Sequence, residues 1–540
     1  MSMITHFTSI VILIAPVILW AVGFIPARVA NRNLKLTTRI YSAAAWCAFA
    51  SAILAAVAFL FDSTHSLTLF SIPLPGEIGS FSISTYVNSV TLIMLGLVSF
   101  IGAIVTRFAC NYLDGDPQQG RFHKWLSLTL ASILTLIISG NLLMFSLAWI
   151  STSLCLHQLL MFYKTRPAAV LAAHKKFIAS RIGDVSLIIA IILIGSSLNT
   201  LEFDQVFHLM ATLEGPLPLA LQWASWLIVL SAGLKSAQFP FHGWLIQVME
   251  APTPVSALLH AGIVNAGAFL IIRMSPIVSH SPSALAILAI VGLITLALAS
   301  LVMLTQTSIK VSLAWSTTAQ MGFMLLECGL GLYSLAMLHL VAHSLYKAHA
   351  FLSSGSGVDS FRAPTIEYAN LKPRLWQYLL ALVFALFLTV GIGMAFGISV
   401  AQQPVLLAVG AVIAIAMTQL LIQASSIQSN WAFISRALGL TVVVCIAYFA
   451  LHHLFELALA GNVLPVQDSN DLFQKTLIAA IIIVFMGLLF LQQALKSRQS
   501  QQFENVYVHL YNGLYIDVYI TRMLQRVWPA PLANVNSNGG

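Results

Sequence analysis

The sequence predicts an all-α polytopic membrane protein of about fifteen transmembrane helices, on three observations. Apolar residues make up 59% of the 540 positions and charged residues 8%, a balance foreign to soluble globules. Apolar runs of roughly 20 residues, the length that crosses the hydrocarbon layer, recur from end to end and leave little chain for an extramembrane domain. The loops also sort by charge. One alternate set holds most of the 25 Lys and Arg, among them Arg28, Arg39, Arg121, Lys164, Lys175, Lys176, Arg181, Arg362 and Arg526. The other set holds Arg273 and Lys475 beside acidic residues such as Asp62, Glu202, Asp204 and Glu456. The positive-inside rule then puts the N-terminus outside and the C-terminus in the cytoplasm. The net charge of +8 is accordingly a topology signal, and no nucleic-acid surface is implied.

In chain order the spans fall at about 7–27, 40–61, 87–106, 124–139, 141–163, 177–197, 219–240, 254–272, 284–304, 308–328, 332–353, 376–398, 404–424, 437–457 and 475–495. The first lacks a basic n-region and a small-residue cleavage pattern, so it is a retained anchor. Span seven is interrupted at Pro240, and the Pro252-Thr253-Pro254 turn re-enters at span eight, giving a discontinuous helix of the kind that transporters place at ion sites. The stretch FENVYVHLYNGLYIDVYITRMLQRVWPAP is too polar to span and predicts an amphipathic helix in the cytoplasmic interface, its Tyr and Trp at headgroup depth. The five cysteines form no CxxC pair, and neither a Rossmann fingerprint, a P-loop nor HExxH occurs; no metal site and no cofactor follow.

Chemistry concentrates on a few intramembrane groups. Lys235 lies inside an apolar span five residues before Pro240, a position that a bilayer penalises unless the charge has a function. In span eleven His339, His343 and Lys347 recur every four residues, so they share one helical stripe about 12 Å long. A ladder of groups that titrate near neutral pH once desolvated is what a proton relay requires. His260 sits across the Pro240 break from Lys235 and continues the line. Lys310, at the start of span ten, either extends the path or snorkels to the interface. Two counter-charges present themselves. Glu250 pairs with Lys235 or caps span eight, and Asp184 pairs with Arg181 one turn away or reaches Lys235.

KSAQFPFHGWL, MEAPTPVSALLHAG and LHLVAHSLYKAHAFLSSGS together resemble the large antiporter-like subunits of respiratory complex I and of multisubunit cation/proton antiporters. That resemblance implies two inverted five-helix repeats, 123–273 and 281–424, preceded by N-terminal helices in 1–122 and followed by C-terminal helices with the interfacial helix in 425–540. It also places Lys235, His260, His339, His343 and Lys347 on a polar axis at mid-membrane. Two family groups are replaced: Trp149-Ile150-Ser151 stands where a Trp-Glu-Gly run is expected, and Ala395 stands near the expected lysine of span twelve. These departures, with WISTSLCLHQLL and the C-terminal segment, are similar to the DabB family of membrane subunits of inorganic carbon accumulation complexes. The similarity implies a multi-pass protein of the bacterial inner membrane, N-terminus periplasmic. It would pass cations, protons first among them, so that a DabA-like cytosolic zinc protein resembling β-carbonic anhydrase hydrates CO2 to bicarbonate. The chain itself would then be a transporter subunit and not an enzyme. The alternative is a monovalent cation/proton antiporter subunit; a redox-driven pump module ranks below both.

Overall fold

A computed structural model describes residues 6–61, 66–76, 78–356, 375–397, 405–427, 431–464, 472–497 and 501–528. A helix stands at every expected span position, in the order α1 Phe7–Gly23, α2 Leu34–Phe59, α3 Ser89–Tyr112, α4 Gln119–Ile138, α5 Leu142–Leu160, α6 Pro167–Leu198 and α7 Leu219–Lys235. Span eight consists of two pieces, α8 Thr253–Ala261 and α9 Ala266–Arg273. It is followed by α10 Pro282–Met303, α11 Ile309–Gly329, α12 Tyr333–Leu352, α13 Leu375–Ala395, α14 Val405–Ile427, α15 Trp431–Leu459 and α16 Leu472–Ser497. Among the described residues eleven helices are long and apolar enough to cross a membrane. α1 and α7 are apolar but shorter.

The outer surface is apolar, and charged groups lie inside a largely apolar core, an inversion of where a soluble globule carries its charges. Phe387 is 79% and Ile483 69% exposed, yet Lys176, Lys347 and Arg273 are fully enclosed. This inversion follows from the solvent: lipid tails are as apolar as leucine, so helix association relies on packing and interhelical hydrogen bonds. Close approach is visible at Gly267, where a Cβ would strike Ser236 and Ala232 of the neighbouring helix end.

One element breaks the helical pattern. Ser66–Pro73 (β1) and Ser80–Tyr86 (β2) form an antiparallel hairpin paired from Ser66↔Tyr86 to Pro73↔Ser80, with an irregularity between Thr68 and Phe70. Its sequence alternates Ser or Thr with Leu, Phe or Ile, a period-two pattern that the search for long apolar runs passes over. Ser82, Ser84 (2.8 Å) and Asn141 Nδ2 (2.9 Å) donate to the Glu202 carboxylate beneath it.

Arg273 belongs to this corner and is no loop cation, which corrects the sequence assignment. Its guanidinium donates to Asn88 (3.2 Å), Thr91 (2.7 Å) and the Ile137 carbonyl (2.7 Å), and lies within 5.4–5.6 Å of the Tyr86, Phe203 and Phe269 rings. Lys175 and Lys176 need the same correction. Pro167 starts α6 ten residues before the expected boundary, drawing both lysines into the buried part of the helix.

The predicted C-terminal interfacial helix is two helices, α17 Gln501–Tyr511 and α18 Ile516–Val527, turned at Leu514 and Tyr515, both with positive φ. They dock on the body of the protein: Tyr507 donates to the Thr305 carbonyl (3.1 Å), and Asp517 accepts from Lys175 (2.8 and 2.9 Å) and Gln247 (2.8 Å). Trp528 stacks on His174 with centroids 4.0 Å apart. Residues 529–531 of the predicted segment lie outside the described residues.

Candidate ion-translocation site

Two interrupted helices set up the polar centre. α7 ends at Lys235, five residues before the expected break, and the chain turns through Ala237 (φ 50) and Phe239-Pro240 before α8 begins at Thr253. A second interruption, unforeseen in the sequence, follows at Gly262: a single turn, Ile263–Asn265, separates α8 from α9. Broken helices survive inside a membrane only when the freed backbone groups find partners. Here Ser236 donates to the Val264 carbonyl (2.8 Å), Gln238 to the Ser236 carbonyl (2.8 Å), and the Phe239 N–H to Thr295 (3.1 Å). Asn265 donates to Ser344 (2.7 Å) and so ties the second break to α12. Lys235 and His260 each occupy the last turn of a broken helix, where the unpaired carbonyl end of the helix dipole favours a cation.

The first cluster gathers around Lys235, which is 5% exposed. Its Nζ lies 4.2 Å from the centre of the Trp149 ring, so the residue beside the missing family glutamate supplies a cation–π face where a carboxylate is expected. Thr152, Gly262 and Phe269 line a small cavity at Lys235. Of the two sequence readings of Asp184, the ion pair with Arg181 is present, at 2.5 Å, and the residue is 3% exposed. Lys176, missed in the sequence, completes the cluster by donating to the Ser153 carbonyl (2.9 Å) and hydroxyl (2.7 Å). Its signal was spacing: Lys176, Ser180 and Asp184 recur every four residues, as do Trp149, Ser153 and His157 on the facing helix.

The second cluster is the ladder on α12. Lys347, fully buried, donates to Ser316 (2.6 Å) and to the Leu313 carbonyl (3.1 Å). His343 is 5% exposed, its ring 6.2 Å from that of His339, and His260 stacks on Phe351 at 4.4 Å. His339 binds Gln320 at 2.7 Å and the carboxylate of Glu327, itself 3% exposed, at 2.9 Å. Sequence reasoning missed Glu327. A carboxylate inside an apolar span is the signal that singled out Lys235, and Ser316, Gln320 and Glu327 share a stripe that faces the ladder.

The two clusters meet through the breaks. Ser236, next to Lys235, binds Val264; Asn265 binds Ser344, next to His343. Among the described residues Lys235 Nζ and both ring nitrogens of His260 and of His343 form no hydrogen bond to protein. A buried polar group left so costs about 1–3 kcal/mol, a cost compatible with groups that must exchange partners. The remaining predicted residues lie apart. Glu250 faces Arg166 at 3.8 Å, both half exposed, so it neither pairs with Lys235 nor caps α8, whose N-cap is Pro252. Lys310, at the first turn of α11, donates to Thr253 (3.1 Å) and not to a ladder residue. Among the described residues no cluster of His, Cys, Asp and Glu has the makings of a metal site.

Residues 139–399 match the family described as NADH:quinone oxidoreductase/Mrp antiporter, TM, and residues 76–123 match NADH-ubiquinone oxidoreductase (complex I), chain 5 N-terminus. A probable inorganic carbon transporter subunit, DabB2 of Halothiobacillus neapolitanus, is 44% identical over 528 residues, 97% of this chain and 95% of that one. The probable inorganic carbon transporter subunit DabB of Hydrogenovibrio crunogenus is 39% identical over 447 residues, 83% and 84% of the two chains. In fold the chain is similar to a subunit of the Mrp complex from a Dietzia species, with a TM-score of 0.61 at 21% identity, covering 96% of this chain and 61% of that one.

Proposed function

The chain belongs to the DabB family of antiporter-like membrane subunits, and from that premise we propose that it is the ion-conducting half of an inorganic carbon pump. Cations, protons in the first instance, enter beside the α7 and α8 breaks, pass the Lys176, Asp184 and Lys235 cluster and His260, and reach Lys347, His343 and His339. The repeats 123–273 and 281–424 each contribute one cluster, with 1–122 and 425–540 flanking them. The observation that carries this reading is the second cluster: two histidines and a lysine on one buried stripe, faced by Ser316, Gln320 and Glu327.

Movement of charge along that stripe drives CO2 hydration on a DabA-like cytosolic partner, a zinc protein resembling β-carbonic anhydrase, with the chain in the bacterial inner membrane and its N-terminus periplasmic. Loop charge supports the orientation. α17 and α18 lie on the expected cytoplasmic side, and Asp517 reaches Lys175, the immediate neighbour of Lys176, so this helix pair is the natural relay between partner and polar centre. Chemistry on the chain itself is not required, because its polar groups hold and pass cations.

The test is rescue of growth in air by a bacterium lacking carbonic anhydrase, expressing the chain alone or with its partner. Rescue by the pair alone, lost with a protonophore, is the expected result. No rescue, with salt tolerance conferred on an antiporter-deficient strain, would replace this reading by cation/proton exchange.

A further inference from the structure

The ladder needs a way out, and Ala395 stands near the position where the resemblance implies a span-twelve lysine. We propose that Glu327 on α11 and His452 on α15 form a proton branch that leaves the ladder at His339 and opens into a cavity beside Glu456, on the face that carries the β-hairpin. The inference rests on the reading that the His339, His343 and Lys347 stripe conducts.

Three observations carry it. First, His339 is held between two oxygen acceptors, Gln320 Oε1 at 2.7 Å and Glu327 Oε2 at 2.9 Å. A neutral imidazole has one N–H. With that N–H given to Gln320, the contact with Glu327 needs one more proton, either on the carboxyl, donating to Nδ1, or on the ring, donating to the carboxylate. A proton can therefore cross from the ladder to Glu327 along an existing hydrogen bond, breaking N–H and forming O–H.

Second, α15 repeats the spacing seen in the other stripes. Tyr448, His452 and Glu456 recur every four residues and cover about 12 Å of helix. His452 lines one cavity with Leu332, whose N–H donates to the Glu327 carbonyl (2.9 Å), so the Glu327 turn of α11 stands against this stripe. His452 is 8% exposed.

Third, the stripe ends in open space. A cavity of about 370 Å³ is lined by Gly331, Tyr333, Ser334, His452, Glu456 and Gly461, at the turn between α11 and α12 and the end of α15. Its walls mix polar and apolar groups, and its volume holds several waters. The step from Glu327 to His452 is then O–H to ring nitrogen, and the imidazolium releases its second N–H proton to water in the cavity.

The experiment is proton flux into proteoliposomes that contain the chain bound to its partner, read by a trapped pH-sensitive dye under an imposed membrane potential. Glu327→Gln and His452→Phe should each lower flux about tenfold or more, with Glu327→Asp intermediate. A second variant spares the buried network: Ser334→Cys, compared with itself before labelling, should lose flux by a similar factor once modified by a bulky membrane-impermeant thiol reagent, while the treated wild type does not. Wild-type flux in Glu327→Gln or His452→Phe, or in fully modified Ser334→Cys, would overturn the branch. A silent wild-type complex would overturn the conduction reading on which it rests.

Discussion

Trp149 shows what a single side chain decides. An indole face 4.2 Å from Lys235 Nζ stabilises the ammonium form without neutralising it. Trp149→Leu keeps bulk and removes the face, a contact worth about 2 kcal/mol when desolvated. Carbon uptake by cells expressing the variant with its partner should fall by at least an order of magnitude at unchanged membrane level, which immunoblotting checks. Arg273→Ala acts on stability instead, because it leaves Thr91 Oγ1 and the Ile137 carbonyl without their donor and strips one bond from Asn88. The cost is on the order of 3 kcal/mol, seen as a lower melting temperature in detergent. At this scale a charge interrupting an apolar run was legible at Lys235 and in the α12 ladder, while the same signal at Glu327 was passed over. Lys176 stayed hidden because a basic neighbourhood at a span boundary looks like a loop until Pro167 is recognised as the helix start.

The elements that matter most are those that break. α7 and α8 both stop at mid-protein, and Ser236, Gln238 and Asn265 replace the lost ladder of backbone bonds. Asn265→Leu should separate the second break from α12, lowering uptake while the fold persists; hydrogen exchange in 262–266 should quicken, and unchanged exchange would contradict the assignment. Docking of α18 depends on equally close contact, because any Cβ at Gly243 would run into the Asp517 carboxylate. Gly243→Ala should therefore release α17 and α18, making 501–528 more sensitive to limited proteolysis. Pro240 and the PTP turn revealed the first break in the sequence. Gly262 gave little sign of the second, since one glycine in an apolar helix is common, and the β-hairpin escaped because its period of two is invisible to a search for long apolar runs.

Across the whole molecule, polar stripes at four-residue spacing recur on α5, α6, α12 and α15, and they meet polar groups on neighbouring helices: Ser153 to Lys176, and His339 to Glu327 of α11. Such pairing explains how a chain with 8% charged residues keeps buried polar clusters inside an apolar surface. It also makes the account vulnerable at one point, since both clusters must carry charge if carbon accumulation is gradient-driven. The decisive measurement is the initial rate of inorganic carbon uptake by cells expressing the chain with its partner, with and without a protonophore. It compares the wild type with a Lys235→Ala, Lys347→Ala double variant present at equal level. Protonophore-sensitive uptake in the wild type and background uptake in the variant is the predicted result; uptake retained by the double variant would contradict the account.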